Sequence, residues 1–521
     1  MLFHADAMPE AAMVDADVCV VGGGPVGLQL ARRLVTRGLR VTLAESGEEQ
    51  PNGRIQDLNS GTVSGRWTGG LRDIRMRQFG GTIHVWGGNC WPLDPLDFEP
   101  RSWVPDSGWP VTAATIAPFM TEAHDALLLD SYAYRPEVPA LPLVPEEPDF
   151  EEILFKLSRM VPGTREPFLG EYAQYLAAEL RAAPALNIIL GANVCEILLT
   201  PDRRSVEGVF AMTLQGRALH LRARAYVFAC GGIETARLLL ASREDMACGI
   251  GNSGDSVGRY FMEHPHGLGA LLLAHPDRYQ ALRRFSPGQR LRTSISQHRL
   301  HLTDASQRRR ELLNLSLQLI DVSMKPNEQA SYEERFQALE ATVPEAGWRR
   351  FYVVFLGEQS PNRVSLGPGA DFFGIPQADL HWAVNEIDHR TVWTALELLR
   401  TNLFGGAEFR MLPVVAPTVQ KWHIGHGAHH IGTTRMSATS RTGVVDRNCR
   451  IHGLSNGFCA GSSVFSTAGM ANPMLTSIAL AFRLSEHLVR EMPSLPEPRL
   501  TGRMRYPAAY ALAAYEPALA Y

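Results

Sequence analysis

The 521-residue chain is predicted to be α/β in its cofactor part and α+β taken whole. It should hold a discontinuous Rossmann-like nucleotide-binding domain and a separate antiparallel-sheet domain with helices. Three observations predict this. Near the start, a strand runs through a glycine turn into a helix and then into a second strand that ends in an acid. Far downstream, a second strand–Gly-Gly–helix unit appears. Between that unit and a glycine-rich tail lies a long stretch of alternating apolar and polar residues, poor in glycine turns.

The first unit is the most explicit. Asp17-Val18-Cys19-Val20-Val21 is an apolar run of strand length. It enters Gly22-Gly23-Gly24-Pro25-Val26-Gly27, after which Leu28, Leu30, Ala31, Leu34 and Val35 recur at helical spacing as far as Gly38. Val41-Thr42-Leu43-Ala44 reads as a second buried strand, closed by Glu45. That order is the dinucleotide fingerprint. Gly22 allows the tight turn, Gly24 lets backbone approach a pyrophosphate, and Gly27 lets helix and strand pack closely. Pro25 and Val26 open the helix, whose N-terminus offers N–H groups and a positive dipole end to phosphate. Glu45 is suited to ribose hydroxyls and repels a 2′-phosphate. The fingerprint alone does not separate FAD from NAD.

Residues 55–110 are rich in Gly, Arg and Trp and show little periodicity. They hold Phe79-Gly80-Gly81-Thr82-Ile83-His84-Val85-Trp86-Gly87-Gly88-Asn89, a composition that suits backbone held against a flat ligand. The spacing over 150–184 predicts a helical insert on the substrate side (Phe150, Ile153, Leu154, Leu157, then Tyr172 to Leu180). Asn187 to Leu190, Cys195 to Leu199 and an alternating hairpin to Leu221 read as strands. Ala225 to Ala229 is a buried strand running into Cys230-Gly231-Gly232 and a helix from Ile233 to Leu240. Residues 263–415 alternate (Leu313 to Val322; Phe351 to Phe355) and include an amphipathic helix around Asn385–Leu399, which predicts the antiparallel substrate domain. Phe458 to Ser463 reads as a further strand of the cofactor domain, and Pro473 to Leu488 as its helix, with proline near the start where its missing N–H does no harm. The expected division is 1–149, 185–262 and 416–493 for the cofactor domain, 150–184 and 263–415 for the substrate side, and 494–521 as a C-terminal arm or oligomer contact.

Composition excludes several classes. Apolar content of 45% and charged content of 20% are ordinary for a globular protein. A net charge of −4 leaves no electrostatic footprint for nucleic acid. No apolar run approaches the roughly 20 residues of a membrane span, and Met1 to Ala16 has no secretory pattern, so a cytoplasmic enzyme is expected. The seven cysteines are scattered, without metal-ligand spacing, so reduced thiols and no metal are expected.

Two late blocks carry the chemistry: His429-His430-Ile431-Gly432-Thr433-Thr434-Arg435-Met436 and Gly469-Met470-Ala471-Asn472-Pro473-Met474-Leu475-Thr476. With the fingerprint, the loop at 80–89, Ala229 to Glu234, Val257 to Pro265 and Glu358-Gln359-Ser360-Pro361-Asn362, they occur in an order that resembles the glucose–methanol–choline (GMC) oxidoreductases, nearest in style to the bacterial and pyranose-oxidase-like branch. The resemblance runs from Asp17 to Leu488. It implies FAD, a discontinuous FAD domain and oxidation of an alcohol. It places the catalytic imidazole at His429, the histidine four before the block's threonine, with His430 pointing away, and the second catalytic position at Asn472. It also places Trp86, Gly87, Gly88, Asn89, Val194, Gly231, Gly461, Ser462, Pro473 and Met474 against the cofactor. Some relatives attach FAD through a histidine just before the loop tryptophan. Here that position is Val85, so FAD is expected to be non-covalent. Many relatives carry an Asp where this chain has Gly461-Ser462-Ser463.

The chemical logic is independent of the resemblance. Oxidising an alcohol removes the hydroxyl proton and a hydride from carbon. An imidazole is suited to the proton near neutral pH, and an amide N–H can hold the oxygen without competing for it. The expected substrate is a sugar, polyol or hydroxylated secondary metabolite, with dioxygen or a quinone or redox protein as acceptor. A NAD-dependent dehydrogenase and a catalytically silent flavin-fold binding protein remain alternatives at this level. His423 and His426 are candidate pocket residues. Glu263 is read as a hinge or hydrogen-bonding residue and His264 and His266 as structural. Glu358 is read either as orienting the imidazole or as an exposed strand end.

Overall fold

Eight strands from separate parts of the chain meet in one sheet. In a computed structural model, which describes residues 1–66, 69–129, 132–134, 152–161, 170–283, 285–286, 290–291, 294–324, 330–359, 361–416, 418–419, 422, 424–497 and 507, the strand Ala12–Val21 lies at the centre. On one side it pairs in parallel with Val41–Glu45, which pairs with Leu186–Leu190 and then Leu2–His4. On the other it pairs in parallel with Ala218–Phe228, which also takes Gly457–Cys459 in parallel. A meander of Val206–Met212 and Asn193–Leu199 closes that edge. The central strands are buried on both faces, as parallel strands covered by helices must be. The edge strand Leu2–His4 was not legible, being three residues long. Among the described residues no helix is long and apolar enough to cross a membrane.

A second sheet has the strand order Phe409–Pro413, Pro265–Ala274, Arg349–Gly357, Leu315–Asp321, Ser294–Leu302, Ile153–Met160 and Asn89–Cys90, all antiparallel. The helix Glu386–Asn402 packs on it, started by Asn385 in a capping box with Asp388. The reading of 150–184 as a helical insert needs correction. Ile153–Met160 is a strand, and only Gly170–Arg181 is helical. Ile153, Leu154 and Leu157 fit a helical stripe, but Ile153, Phe155 and Leu157 also alternate, and pairing with Ser294–Leu302 selects the strand. Gly61–Gly65, inside the stretch that showed no periodicity, pairs in parallel with Pro376–Trp382 in a three-stranded sheet. Most of the C-terminal arm, and His423, lie outside the described residues.

Candidate active site

The glycine turn is built as its sequence demands. Gly22 adopts φ +110°, a conformation that side chains resist, and its N–H bonds the Ala44 carbonyl at 2.8 Å. A Cβ on Gly27 would stand 2.0 Å from the Gly22 carbonyl oxygen, so the helix Pro25–Thr36 can lie this close to the turn only without a side chain there. The flavin loop folds onto the same turn: Gly80 N–H bonds the Gly23 carbonyl at 2.9 Å, and a Cβ on Gly81 would meet Gly24 Cα at 3.1 Å. By contrast, a Cβ on Gly24, Gly231 or Gly461 would meet no atom within 4 Å. These three glycines mark backbone facing open space, at the start of the Pro25–Thr36 helix, of the Gly231–Ala241 helix and of the short helix Ser462–Val464. Such a surface fits a long ligand lying along backbone amides.

Glu45 is buried at the strand end. Its Oε2 accepts from Gly23 N–H and its Oε1 from Gly47 N–H, each at 2.6 Å. Burial pushes its carboxyl up, partly offset by those amides and by Arg77. Glu45 therefore sits beside the turn, although its oxygens satisfy backbone rather than standing open for a ribose. Val194 lies in the strand Asn193–Leu199, opposite Ala211. Trp86 is half-buried against the core, and Gly88 is buried. Asn89 begins the strand Asn89–Cys90, and its Oδ1 accepts from Ser158 at 3.4 Å. Val85 is exposed, while His84 Nε2 lies 2.9 Å from the Phe79 carbonyl oxygen. Asn472, Pro473 and Met474 lead into the long helix Met474–Glu491.

His429 and Asn472 converge. Asn472 Nδ2 is 3.0 Å from His429 Nε2. The His430 ring packs against Phe261 instead, with centroids 6.0 Å apart. The backbone that presents His429 is stitched on two sides. Met262 and Ile431 exchange N–H···O bonds of 2.9 and 3.0 Å as an antiparallel bridge, which sets His264 opposite His429 two residues along. Gly432 and Thr434 N–H groups bond the Ser462 and Ser463 carbonyls at 3.0 and 2.8 Å. Ala428, just before His429, adopts φ +56°.

The motifs left Glu263 as a hinge or hydrogen-bonding residue and Glu358 between two roles, and gave no catalytic contact for His264. His264 Nδ1 lies 2.8 Å from His429 Nδ1, so the residue read as structural touches the candidate imidazole directly. Glu263 is fully buried, and its Oε1 accepts the backbone N–H groups of both His264 and His429 at 2.7 Å. Glu358 is not an exposed strand end. It is buried in a two-pronged pair with Arg101, one arm at 2.7 Å, and accepts Asn314 N–H at 2.9 Å. The sequence signal was the run Glu263-His264-Pro265 itself; nothing in the sequence pointed to Arg101.

The electrostatics follow from burial. Burial holds the His429 imidazole well below its ordinary range, with His264, His430, His266 and His426 adding to the effect. Burial likewise brings His264 down to about 4 and His430 to about 3. Burial pushes the Glu263 carboxyl up to about 8, against the lowering effect of the His264, His429 and Gly427 amides. Burial would raise Glu358 too, but Arg101 outweighs it and holds the carboxylate below its usual range. At neutral pH the imidazoles and Glu263 are therefore uncharged. Among the described residues no group of His, Cys, Asp and Glu has a metal-holding arrangement.

Fold and site together define a nucleotide-dependent oxidoreductase, and comparison with known proteins makes this specific. Residues 15–77 match the model of an FAD-binding domain, and residues 358–481 match that of the GMC oxidoreductase C-terminal region. The fructose dehydrogenase large subunit of Gluconobacter japonicus is 22% identical over 92% of this chain and 98% of its own length. The 2-methyl-1,2-propanediol dehydrogenase of Mycolicibacterium austroafricanum is 24% identical over 93% and 97%. The crystal structure of pyridoxine 4-oxidase from Mesorbium loti shares the fold, with a TM-score of 0.54 and 18% identity over 91% of this chain and 99% of that one. Residues 358–481 thus place the C-terminal part of the chain with the GMC oxidoreductases, and the cofactor is FAD. The open glycines at positions 24, 231 and 461 fit that cofactor, and the choice between FAD and NAD left by the fingerprint is resolved.

Proposed function

We propose that the protein oxidises the CH–OH group of a sugar or polyol, with His429 as the base. The observation that carries this reading is the 3.0 Å approach of Asn472 Nδ2 to His429 Nε2, in a pocket whose buried imidazoles stay neutral. His429 Nε2 takes the hydroxyl proton, and the Asn472 amide holds the oxygen as negative charge builds on it. Bound FAD supplies the acceptor for the two electrons that leave the carbinol carbon with its hydrogen. Glu263 keeps the His429 backbone in place from beneath. Gly24, Val26 and Gly27 would hold the pyrophosphate at the helix start, and Gly231, Gly461, Ser462, Pro473 and Met474 would hold the rest of the cofactor.

A sugar or polyol is favoured over an apolar alcohol because relatives matching nearly their whole length are named for fructose and for a diol. FAD is held without a covalent bond: Val85 offers no nucleophile, and the His84 ring is engaged by the Phe79 carbonyl. Heat-denatured protein should release all its flavin into the supernatant, and flavin remaining with the precipitate would contradict this. The substrate class is tested by mixing the anaerobic holoenzyme with sugars, polyols and simple alcohols and following flavin bleaching. Sugars or polyols are expected to bleach it fastest; bleaching only by apolar alcohols, or by none of them, would overturn the reading. Admitting air then separates an oxidase, which recolours at once, from a dehydrogenase that needs a quinone or redox protein.

A further inference from the structure

Hydrogen-bond bookkeeping around His429 leaves one consistent arrangement of protons. The Asn472 amide donates its Nδ2–H to His429 Nε2, so that nitrogen carries the lone pair. The His429 ring is neutral, so its proton is on Nδ1. His429 Nδ1 lies 2.8 Å from His264 Nδ1, with the ring centroids 4.9 Å apart and the planes 79° apart. The His264 Nδ1 must therefore accept, which puts the His264 proton on Nε2. That atom is buried, with no partner in hydrogen-bond geometry among the described residues. The Glu358 carboxylate and the Ala468 and Gly469 carbonyls are the groups that favour a proton on this ring. Glu358 is itself fixed by Arg101, and Glu263 ties the backbone of both histidines to one oxygen.

We propose that His264 is a positioning residue that fixes the tautomer of His429: its Nδ1 accepts the His429 Nδ1–H, so that His429 Nε2 is always the basic edge presented to the substrate oxygen. The inference rests on the reading of His429 as the base. Once the Asn472 amide turns from Nε2 to the substrate oxygen, a neutral imidazole without the His264 partner would divide between two tautomers, one of which presents an N–H to the substrate and cannot take its proton. The interaction also favours the imidazolium formed when the proton arrives, because its Nδ1–H already has an acceptor.

The test compares His264→Asn, His264→Gln and His264→Ala by the rate of anaerobic flavin bleaching, with flavin content and melting temperature measured alongside. Asn places a carbonyl oxygen where His264 Nδ1 stood; Gln places it where Nε2 stood. His264→Asn should bleach at close to the wild-type rate. His264→Gln and His264→Ala should be slower by about 10- to 100-fold, the usual loss when an orienting partner is removed. Combining His264→Ala with His429→Ala should be no slower than His429→Ala alone, since the effect passes through one ring. Equal rates for Asn and Gln, or losses that simply multiply in the double variant, would overturn the assignment. If all three His264 variants bleach like wild type while His429→Ala is slow, only this inference falls. If His429→Ala also bleaches like wild type, the reading of the base falls with it.

Discussion

Two buried clusters of ionisable side chains handle charge in opposite ways. At the start of the Gly231–Ala241 helix, Glu234 is held by Arg75, Arg77 and Arg237, at 3.1, 2.7 and 2.6 Å, and Arg237 also binds Asp371. Burial would raise the Glu234 carboxyl, but the arginines outweigh it and hold it far below its ordinary range. This cluster is fully ionised and cross-braces three parts of the chain. Around His429 there is comparable burial and, among the described residues, no ion pair to His429 or His264, so His429, His264 and Glu263 stay uncharged. The difference follows from the task. A brace works by fixed charges, whereas a base must keep a lone pair available at neutral pH.

The comparison is broken most sharply by removing one partner from each cluster. Glu234→Ala leaves three guanidinium groups without their shared counter-ion, and should destabilise the fold by about 3–5 kcal/mol in chemical denaturation. Glu263→Gln retains a carbonyl for the same two backbone N–H groups and replaces a neutral acid, so at about pH 4.5, before the unfolded acid ionises, it should change stability by less than about 1 kcal/mol. Comparable losses in both variants would abolish the contrast.

The neutral cluster also predicts a pH dependence. Glu263 moves from 4.5 to about 8 on folding, so its contribution is fully present below pH 4.5 and is lost as pH rises toward 8. His264 moves from 6.5 to about 4, so its contribution is present above pH 6.5 and is lost as pH falls toward 4. Denaturation midpoints should therefore show wild type losing ground to Glu263→Gln as pH rises from 4.5 to about 8, with a weakening common to both proteins as pH falls from 6.5 toward 4. A constant gap between the two proteins across that range would contradict the neutral Glu263. A smaller effect sharpens the cofactor side. Gly27→Ala, whose Cβ would stand 2.0 Å from the Gly22 carbonyl oxygen, should reduce stability by about 1–3 kcal/mol through overpacking and lower the flavin content of the purified protein.

The parts of the molecule most legible in the sequence are those where local pattern and final environment agree. The strand–turn–helix around Gly22 to Gly27 needs glycine for reasons visible in its own spacing, and the alternation of 313–322 and 351–355 is retained in the strands Leu315–Asp321 and Arg349–Gly357. Ile153–Met160 was misread because its apolar spacing suits either period, and a partner more than a hundred residues away decides between them. The meeting of His429 with Asn472 was expected from two motifs. The contact of His429 with His264 was not, because it depends on the register of the Met262–Ile431 bridge, which no local pattern encodes. Glu358 was left open between two roles because its state depends on Arg101, a residue in an irregular stretch with no motif of its own.

The most direct test of the account is the rate at which substrate bleaches the flavin of His429→Ala under anaerobic conditions. The variant should bind FAD fully and bleach about 10² to 10⁴ times more slowly than wild type, the worth of a positioned acid–base group. Full flavin content with an unchanged rate would contradict the claim that this imidazole takes the proton.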